Sequence, residues 1–345
     1  MSSFLKSSLQ LAAILPLLFA KASADDAPVR GRDPWAFRLT LENKTRMLVA
    51  ALRPDLWVAY NPANGTLHKV WNGGIQFHGK VYDFGQQNSV TLGDTYHLQK
   101  RATLFSAENE NTIPSDWSAM GVSTGAVWSF SQSGGSMFES PAVDLRLHDH
   151  VVLAYHTPGA NNRLLVDVSN NNGATWTAQQ WMSVDGAVAD GHQKLVEVTG
   201  ARVKFRFRPN TSGNTATLAD VTLIGDYRAW TLKVNGDPVP VSVDWRGYRL
   251  VEKTEGIVIR YDVVLPGGER IGIEESPEAL PGMKLQRNFE VTDLPENALL
   301  SLAIDGVGYQ EQHVVSGAML RLKSGATYLD FATSGEATLE TTWTP

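Results

Sequence analysis

Several acidic and histidine side chains could carry hydrolytic chemistry on a sugar. Glycoside hydrolysis uses two carboxylates that flank one bond, and Glu274 and Glu275 are adjacent in one alternating segment. Neighbouring residues of a strand point to opposite faces, so these two cannot act as that pair together. A catalytic group would need partners from elsewhere in the chain, and the candidates are His68, His78, Asp83 and Glu274.

Aromatic residues could instead bind a ligand without transforming it. Trp57, Tyr60 and Trp71 belong to the segment with the highest density of aromatic residues. Apolar surface with a few placed polar groups is typical of ligand sites. Regular alternation would put Trp57 and Tyr60 on opposite faces of their strand. The alternative is that these rings are buried in a core, as most large aromatic residues are.

A second candidate ligand site consists of Trp245, Arg246 and Tyr248, which follow one another in an alternating segment. Alternation predicts that Arg246 and Tyr248 share one face of the strand. An arginine with an aromatic neighbour can hold a carboxylate, such as that of a sugar acid, through paired hydrogen bonds. The alternative is an exposed edge strand that its charges protect from pairing.

Candidate metal ligands are few. His148 and His150 are two residues apart and would share a strand face, as a zinc or copper site requires. Asp144 and Asp220 could each supply a carboxylate to a structural Ca²⁺ ion, although the chain has no EF-hand sequence. No other cofactor is predicted. The chain has no cysteine, which excludes disulfides, thiolate catalysis and covalent c-type haem.

These side chains must be positioned by β-strands, because helical periodicity is almost absent after residue 24. Short alternating runs separated by Gly, Asn, Asp or Pro recur at a spacing of about 8–12 residues, which is typical of sandwiches and barrels. The sequence therefore predicts an all-β fold. The clearest runs are Arg46–Leu52, Val151–His156, Arg163–Val168, Lys194–Val198, Arg202–Arg208, Thr217–Ile224, Gly256–Leu265 and Arg270–Glu275.

Changes of composition along the chain predict an inserted domain. Residues 106–225 are rich in Ser, Asn, Gly and Thr, whereas residues 25–105 and 226–345 carry more charged or aromatic side chains. We expect the two outer stretches to form one discontinuous β-sandwich, with a jelly-roll β-sandwich inserted between them.

The first 24 residues predict a secretory signal peptide. Lys6 lies in a polar start, an apolar run extends from Leu9 to Phe19, and Ala22-Ser23-Ala24 is an A-x-A cleavage site. The run is shorter than the roughly 20 residues that span a bilayer. We expect cleavage near Ala24 and a periplasmic or extracellular protein without a membrane span.

The charge of the chain restricts its partners. The formal net charge is −6, and removal of a leader that contains Lys6 and Lys21 lowers it to −8. Nucleic acids and anionic membranes select basic surfaces. We therefore expect no nucleic-acid partner, and a carbohydrate or another polar small molecule is the predicted ligand.

Four segments of the middle stretch follow one another in a familiar order: Phe138–Leu145, Asn161–Trp176, Val203–Phe207 and Ala219–Leu223. This order resembles the jelly-roll modules of extracellular adhesion and carbohydrate-binding proteins. Within it, Ser169–Trp176 resembles an Asp-box hairpin in which Asn171 replaces the usual Asp. One copy of this hairpin argues against a sialidase propeller, which repeats it in several blades.

Segments of the outer stretches carry a second resemblance: Arg46–Leu48, Leu56–Asn61, Leu67–Gly74, Phe77–Asp83, Trp245–Leu250, Ile273–Glu278 and Leu285–Phe289. They are similar to the N-terminal β domain of large secreted bacterial proteins that also contain c-type cytochrome or quinoprotein-dehydrogenase-like domains. This chain lacks the haem-binding C-x-x-C-H sequence, so the resemblance does not imply electron transfer by the chain. It does imply docking to a separate secreted redox protein as one function.

The sequence leaves three functions open. The lack of a complete catalytic set favours a secreted, non-enzymatic protein that binds carbohydrate or another polar extracellular ligand. The first alternative is a carbohydrate-active enzyme, similar to a mutarotase or a hydrolase, that uses carboxylate and histidine side chains of the outer sandwich. The second is an accessory subunit of a secreted redox protein. The identity of the ligand and the oligomeric state are not encoded in any motif that we find.

Overall fold

A computed structural model describes residues 33–42, 44–77, 89–131, 135–158, 164–182, 192–210, 216–251, 256–323 and 325–345. Within these ranges the protein is all-β, which confirms the predicted fold class. No helix in this part of the chain has the length and hydropathy needed to cross a membrane.

The described residues form 31 strands, and each run predicted from alternation overlaps at least one of them. The first eight are β1 (Trp35–Leu41), β2 (Lys44–Arg53), β3 (Leu56–Asn61), β4 (Thr66–Trp71), β5 (Ile75–Gln76), β6 (Val90–Thr91), β7 (Thr95–Gln99) and β8 (Arg101–Glu108). The next eleven are β9 (Ser118–Met120), β10 (Val122–Ser123), β11 (Trp128–Phe130), β12 (Met137–Glu139), β13 (His148–His156), β14 (Leu164–Ser169), β15 (Thr177–Met182), β16 (His192–Leu195), β17 (Lys204–Pro209), β18 (Ala216–Leu218) and β19 (Asp220–Tyr227). The last twelve are β20 (Trp230–Val234), β21 (Asp237–Val239), β22 (Ser242–Val251), β23 (Gly256–Val264), β24 (Arg270–Leu280), β25 (Lys284–Thr292), β26 (Ala298–Ala303), β27 (Gly306–Gly308), β28 (Gln310–Ser316), β29 (Met319–Lys323), β30 (Ala326–Phe331) and β31 (Gly335–Thr344).

The strands pair in antiparallel sheets. The two largest sheets have six strands each, in the orders β1-β2-β3-β4-β7-β27 and β22-β23-β24-β25-β31-β28. Two sheets have five strands, in the orders β21-β20-β26-β30-β29 and β15-β14-β17-β12-β9. A four-stranded sheet, β16-β13-β19-β8, contains both the strand that leads into the middle stretch and the strand that leaves it.

The buried apolar residues form three cores. The outer core combines residues between 48 and 96 with residues between 229 and 343. The middle core contains only residues between 105 and 223. The small core contains residues between 39 and 71. The domain boundaries and the jelly-roll connectivity of the middle stretch stay predictions.

β2 and β3 read as continuous apolar runs because both faces of their sheet are covered. Leu48 and Val58 belong to the outer core, whereas Met47 and Ala59 belong to the small core. A strand that is buried on both faces loses the polar alternation of a half-exposed strand. This packing fixes the strands that carry the first group of candidate aromatic residues.

Candidate functional site

β8 and β19 form an antiparallel pair in which Arg101 lies opposite Asp226. Phe105 of β8 and Leu223 of β19 belong to the middle core, whereas Trp230, three residues after β19, belongs to the outer core. The end of the pair at Arg101 and Asp226 therefore lies where the two cores meet.

A cavity of about 400 Å³ lies beside this meeting point, and we call it the junction pocket. Ligand sites commonly have volumes of about 300–1,000 Å³, lie between domains and combine apolar walls with a few polar groups. The junction pocket has this volume and this mixture of apolar and polar groups. It is lined by Gln99, Lys100, Leu147, Tyr227, Arg228, Ala229, Thr231, Ala303, Asp305, Lys323, Gly325, Ala326 and Tyr328.

Positive charge is in excess around the junction pocket. Three cations, Lys100, Arg228 and Lys323, line the pocket together with a single carboxylate among the described lining residues, that of Asp305. The charge of Arg228 is compensated from outside the pocket, because its Nε is 3.4 Å from Asp149 Oδ1. Lys100 Nζ is 4.0 Å from Asp305 Oδ1, whereas Lys323 forms no ion pair with a described residue. The pocket can therefore hold an anionic group through charge-assisted hydrogen bonds.

Two tyrosines add flat surface to the same pocket. The side chain of Tyr227 is half-exposed, and its ring is 5.2 Å from the imidazole of His148. The ring of Tyr328 is covered on one side by the guanidinium of Arg321, 4.5 Å from the ring centroid. Asp330 holds that guanidinium in place, with Arg321 Nη2 3.0 Å from Asp330 Oδ1. A tyrosine offers both an apolar face and a hydroxyl group, which suits a ligand with hydroxyl groups on an apolar ring.

Gln99 connects the junction pocket to a buried charged group beneath it. Its Nε2–H donates to the backbone carbonyl of Tyr227 at 3.4 Å, and its Oε1 is 3.4 Å from His68 Nδ1. His68 Nε2 is 2.8 Å from Glu42 Oε2, and Lys69 Nζ is 2.5 Å from Glu42 Oε1. The floor of the pocket therefore rests on a chain of polar side chains. In this chain the hydrogen on His68 Nε2 binds Glu42, and the contact between His68 Nδ1 and Gln99 Oε1 is not a hydrogen bond when the ring is neutral.

The charges in this chain follow from burial and pairing. Burial raises the pKa of Glu42, but the hydrogen bond from His68 and the nearby positive charge outweigh burial and lower the pKa to about 2. Burial lowers the pKa of His68. At pH 7 the carboxylate is therefore ionised, and the neutral imidazole donates its Nε2–H to that carboxylate.

A second set of charges joins β2 to the β8–β19 pair. Lys44 Nζ is 2.9 Å from Asp226 Oδ2, and Arg101 Nε is 2.9 Å from Asp226 Oδ1. The side chains of Lys44 and Asp226 are at most 1 % exposed. Burial lowers the pKa of Lys44 despite the opposing charge of Asp226. Burial and the charge of Lys44 together lower the pKa of nearby His150 to about 3, so this imidazole is neutral at pH 7.

Replacing Glu42 by glutamine is expected to remove part of the acid sensitivity of the protein. A carboxyl group with a pKa of about 2 when folded and 4.5 when unfolded contributes stability above pH 4.5, and this contribution is lost as the pH falls towards 2. The side chain of Glu42 is 28 % exposed, so we expect Glu42→Gln to lower the free energy of unfolding by about 2 kcal/mol at pH 7. Near pH 2 the loss should be close to zero. Urea unfolding at both pH values measures it, and an equal loss at both would mean that Glu42 stabilises through packing instead.

The first group of candidate aromatic residues is divided between two cores. Trp57 and Trp71 stack in the small core with ring centroids 6.0 Å apart, and their indole N–H groups donate to the carbonyls of Pro54 and Gly74. Tyr60 lies on the opposite face of the sheet, in the outer core, as alternation predicted. The three rings are buried and do not form one surface. A ligand could contact them only by displacing core side chains.

The second group does not follow the predicted alternation. A β-bulge interrupts the pairing of β22 between Trp245 and Gly247, and a bulge changes which face the following side chains occupy. Trp245 and Tyr248 both pack against the outer core, whereas Arg246 is exposed and its Nε is 2.9 Å from Asp262 Oδ2. The expectation that Arg246 and Tyr248 share a face is therefore wrong.

The candidate catalytic residues do not meet within the described residues. Glu274 lies on the exposed face of the β22–β28 sheet, with its Oε1 2.8 Å from Arg260 Nε. His68 is completely buried beneath the junction pocket, beside Gln99 and Glu42. His78 and Asp83 lie outside the described residues.

The histidine pair of β13 lies at an irregular point of its strand. The pairing of β13 with β19 shifts between Asp149 and Val152, and His150 has a left-handed backbone with φ of 43°. The regular alternation on which the zinc or copper prediction for His148 and His150 rested is thus interrupted. Among the described residues, no three His, Asp or Glu side chains are arranged to hold a metal ion.

The two aspartates proposed as calcium ligands have neighbouring positive or titratable groups. Asp144 Oδ2 is 2.7 Å from Arg146 Nη2, and Asp220 Oδ2 is 3.6 Å from His156 Nδ1. The two carboxylates lie on different segments, before β13 and at the start of β19. A structural calcium ion stays a prediction.

No motif in the sequence marks the residues of the junction pocket. Lys100 and Arg228 belong to no sequence motif. Asp305 lies between β26 and β27, and Lys323 is the last residue of β29, both far along the chain. One sequence signal does point to them. Lys100 and Tyr227 lie just outside the predicted boundaries at 105/106 and 225/226, and ligand sites often lie where domains meet.

Comparison with protein-family models found no match, and comparison with curated proteins found none. The resemblances to secreted bacterial β domains and to jelly-roll modules therefore stay predictions from the residues that carry them.

Proposed function

We propose that this protein is a secreted, non-enzymatic binding protein that holds an acidic carbohydrate in the junction pocket. The observation that carries the proposal is a cavity of about 400 Å³ in which Lys323, which has no ion pair with a described residue, lies with Lys100, Arg228 and two tyrosine rings. A uronic-acid residue has a carboxylate for the cations and an apolar ring face for the tyrosines. The predicted signal peptide supports an activity outside the cytoplasm.

The junction pocket has too few acidic groups among its described lining residues for hydrolysis, which favours binding as its function. Hydrolysis of a glycosidic bond uses two carboxyl groups, about 5–10 Å apart. Among the described lining residues only Asp305 has a carboxylate, and the backbone N–H of Thr327 donates to it. A single carboxylate engaged in this way supports recognition of a ligand more than acid–base catalysis.

Isothermal titration of the purified protein against uronic-acid oligosaccharides and neutral oligosaccharides of equal length tests the proposal. We expect tighter binding of the acidic series, with a preference that falls as salt screens the charges. Lys323→Gln should weaken the acidic series about tenfold, which corresponds to about 1.4 kcal/mol, and should leave neutral sugars unchanged.

Lys233→Gln is the matched control, because Lys233 is an exposed lysine of β20 that does not line the pocket. It makes the same change of net charge and should leave both affinities unchanged. If both variants weakened the binding of acidic sugars equally, the cause would be the net charge of the protein rather than a contact made by Lys323. No heat with any sugar would show that the proposed function is wrong.

A further inference from the structure

A second and smaller cavity lies against Arg228, which also lines the junction pocket. Its volume is about 150 Å³, or about five water molecules at their share of liquid volume. The loop between β3 and β4 contributes Asn64, β13 contributes Asp149, and β22 contributes Ser242. Trp230, Val241 and Val243 supply apolar walls.

Asn64 has an unsatisfied side chain at this cavity. The residue is 2 % exposed, and neither its Oδ1 nor its Nδ2 has a hydrogen-bond partner among the described residues. A buried amide without partners costs free energy on both its donor and its acceptor side. The burial of Asn64 therefore points to a partner that enters the cavity.

The turn around Asn64 does not require this side chain. The backbone N–H groups of Asn64 and Gly65 donate to the carbonyl of Asn61 at 3.3 and 2.9 Å. Asn61 Oδ1 accepts from the N–H of Ala63 at 3.0 Å. The turn is closed by these bonds, so the free amide of Asn64 has no local structural role.

Asp149 and Arg228 add further polar groups to the same cavity. Arg228 Nε is 3.4 Å from Asp149 Oδ1, and this buried N–H makes no hydrogen bond. The backbone N–H of Arg228 donates to the carbonyl of Leu147 at 2.9 Å, which fixes its position. The carboxylate and the guanidinium cancel in formal charge, so neither an anion nor a cation is favoured there.

We propose that this cavity binds a small, uncharged polyhydroxy compound of about three to five carbon atoms. A hydroxyl group both donates and accepts, so two neighbouring hydroxyls satisfy the two atoms of the Asn64 amide. Further hydroxyls meet Asp149 and the Nε–H of Arg228, while the C–H groups contact Trp230 and the valines. The site is distinct from the junction pocket, because Asn64 does not line that pocket.

Calorimetric titration with erythritol and glycerol at millimolar concentration tests this site. Low concentrations are needed because polyols at high concentration stabilise any protein by exclusion from its surface. We expect saturable heat with erythritol, at least tenfold weaker in Asn64→Leu and also weaker in Ser242→Ala. Ser242 is exposed at the start of β22, so the second variant tests the site even where the first does not fold.

Charged probes and a control variant define the outcomes that would overturn the proposal. Lactate and ethanolamine are of similar size and should not weaken the binding of erythritol. Lys323→Gln should leave erythritol binding unchanged, and Asn64→Leu should leave binding of acidic sugars unchanged, so the two sites can fail separately. Erythritol heat that is absent, or equal in the wild type and Asn64→Leu, would show that the cavity holds water only or that the polyol binds elsewhere.

Discussion

Glu275→Gln is expected to lower the free energy of unfolding by about 3–5 kcal/mol, the usual cost of leaving one member of a buried ion pair without its partner. Glu275 and Arg287 lie in the outer core with side chains that are at most 4 % exposed, and Arg287 Nε is 2.6 Å from Glu275 Oε1. The glutamine is nearly the same size but leaves the guanidinium charge uncompensated.

Two tyrosines complete this network. Tyr60 O–H donates to Glu275 Oε1 at 2.5 Å, and Tyr261 O–H donates to Glu275 Oε2 at 3.1 Å. Burial and the charge of Glu275 raise the pKa of both tyrosines well above the usual value, so both remain neutral donors. Burial lowers the pKa of Arg287, but the charge and hydrogen bond of Glu275 together with Tyr60 and Tyr261 outweigh burial and raise it.

Glu274→Gln is the matched control, because Glu274 is the adjacent residue on the exposed face of the same strand. Its side chain is 30 % exposed and pairs with Arg260, so we expect a loss below about 1 kcal/mol. Urea unfolding with unchanged m values measures both variants. Joint replacement of Glu275 and Arg287 by leucine and methionine should recover part of the loss. Equal losses for Glu275→Gln and Glu274→Gln would contradict the expected cost of the buried charge.

Asp226→Asn should have an effect of similar size, about 3–5 kcal/mol, at the meeting point of the two cores. Asp226 is the shared partner of Lys44 and Arg101. The asparagine leaves the ammonium of Lys44 buried without its counter-charge. Asp220→Asn, at the exposed start of the same strand, is the control and should cost less than about 1 kcal/mol.

The loss in Asp226→Asn should depend on pH. The pKa of Lys44 is already lowered in the folded wild-type protein, and removal of Asp226 takes away a charge that opposes this shift. A lysine with a lowered folded pKa binds fewer protons when folded than when unfolded, so stability rises with pH towards the unfolded pKa. The difference between variant and wild type should therefore shrink from pH 7 to pH 10, as measured by urea unfolding. A difference that stays constant would mean that Lys44 keeps its charge.

These buried charges also bear on the proposed function. Asp226, Gln99 and Arg228 belong to the segments that form the floor of the junction pocket. A binding site needs side chains held in place by supporting contacts. Asp226→Asn should thus weaken binding as well as stability, whereas Glu275→Gln acts on the outer core, away from the lining of the pocket.

Local pattern was enough to predict the all-β fold and many strand positions. The alternation of Gly256–Leu265 matches β23 closely, and that of Arg270–Glu275 predicts the first half of β24, because period-two patterning records which side of a strand is buried. The same rule predicts that Glu274 and Glu275 lie on opposite faces of the strand, as they do: Glu274 is partly exposed and Glu275 is buried.

Alternation failed where the backbone was irregular. The bulge after Trp245 puts Arg246 and Tyr248 on opposite faces of β22 instead of on one, and composition alone does not mark such a bulge. The aromatic density around Trp57 was visible in the sequence, but the covering of both sheet faces that buries Trp57 and Tyr60 arises from packing among distant strands.

The sequence determines the fold class, the absence of cysteine chemistry and the acidic charge of this protein, because these depend on composition and on short-range periodicity. The tertiary structure alone decides which polar side chains converge. Lys100, Arg228, Asp305 and Lys323 are spread over more than 200 positions and meet only where β8 and β19 join the two cores. Pairing of distant strands brings them together, and no local pattern of residues records that pairing.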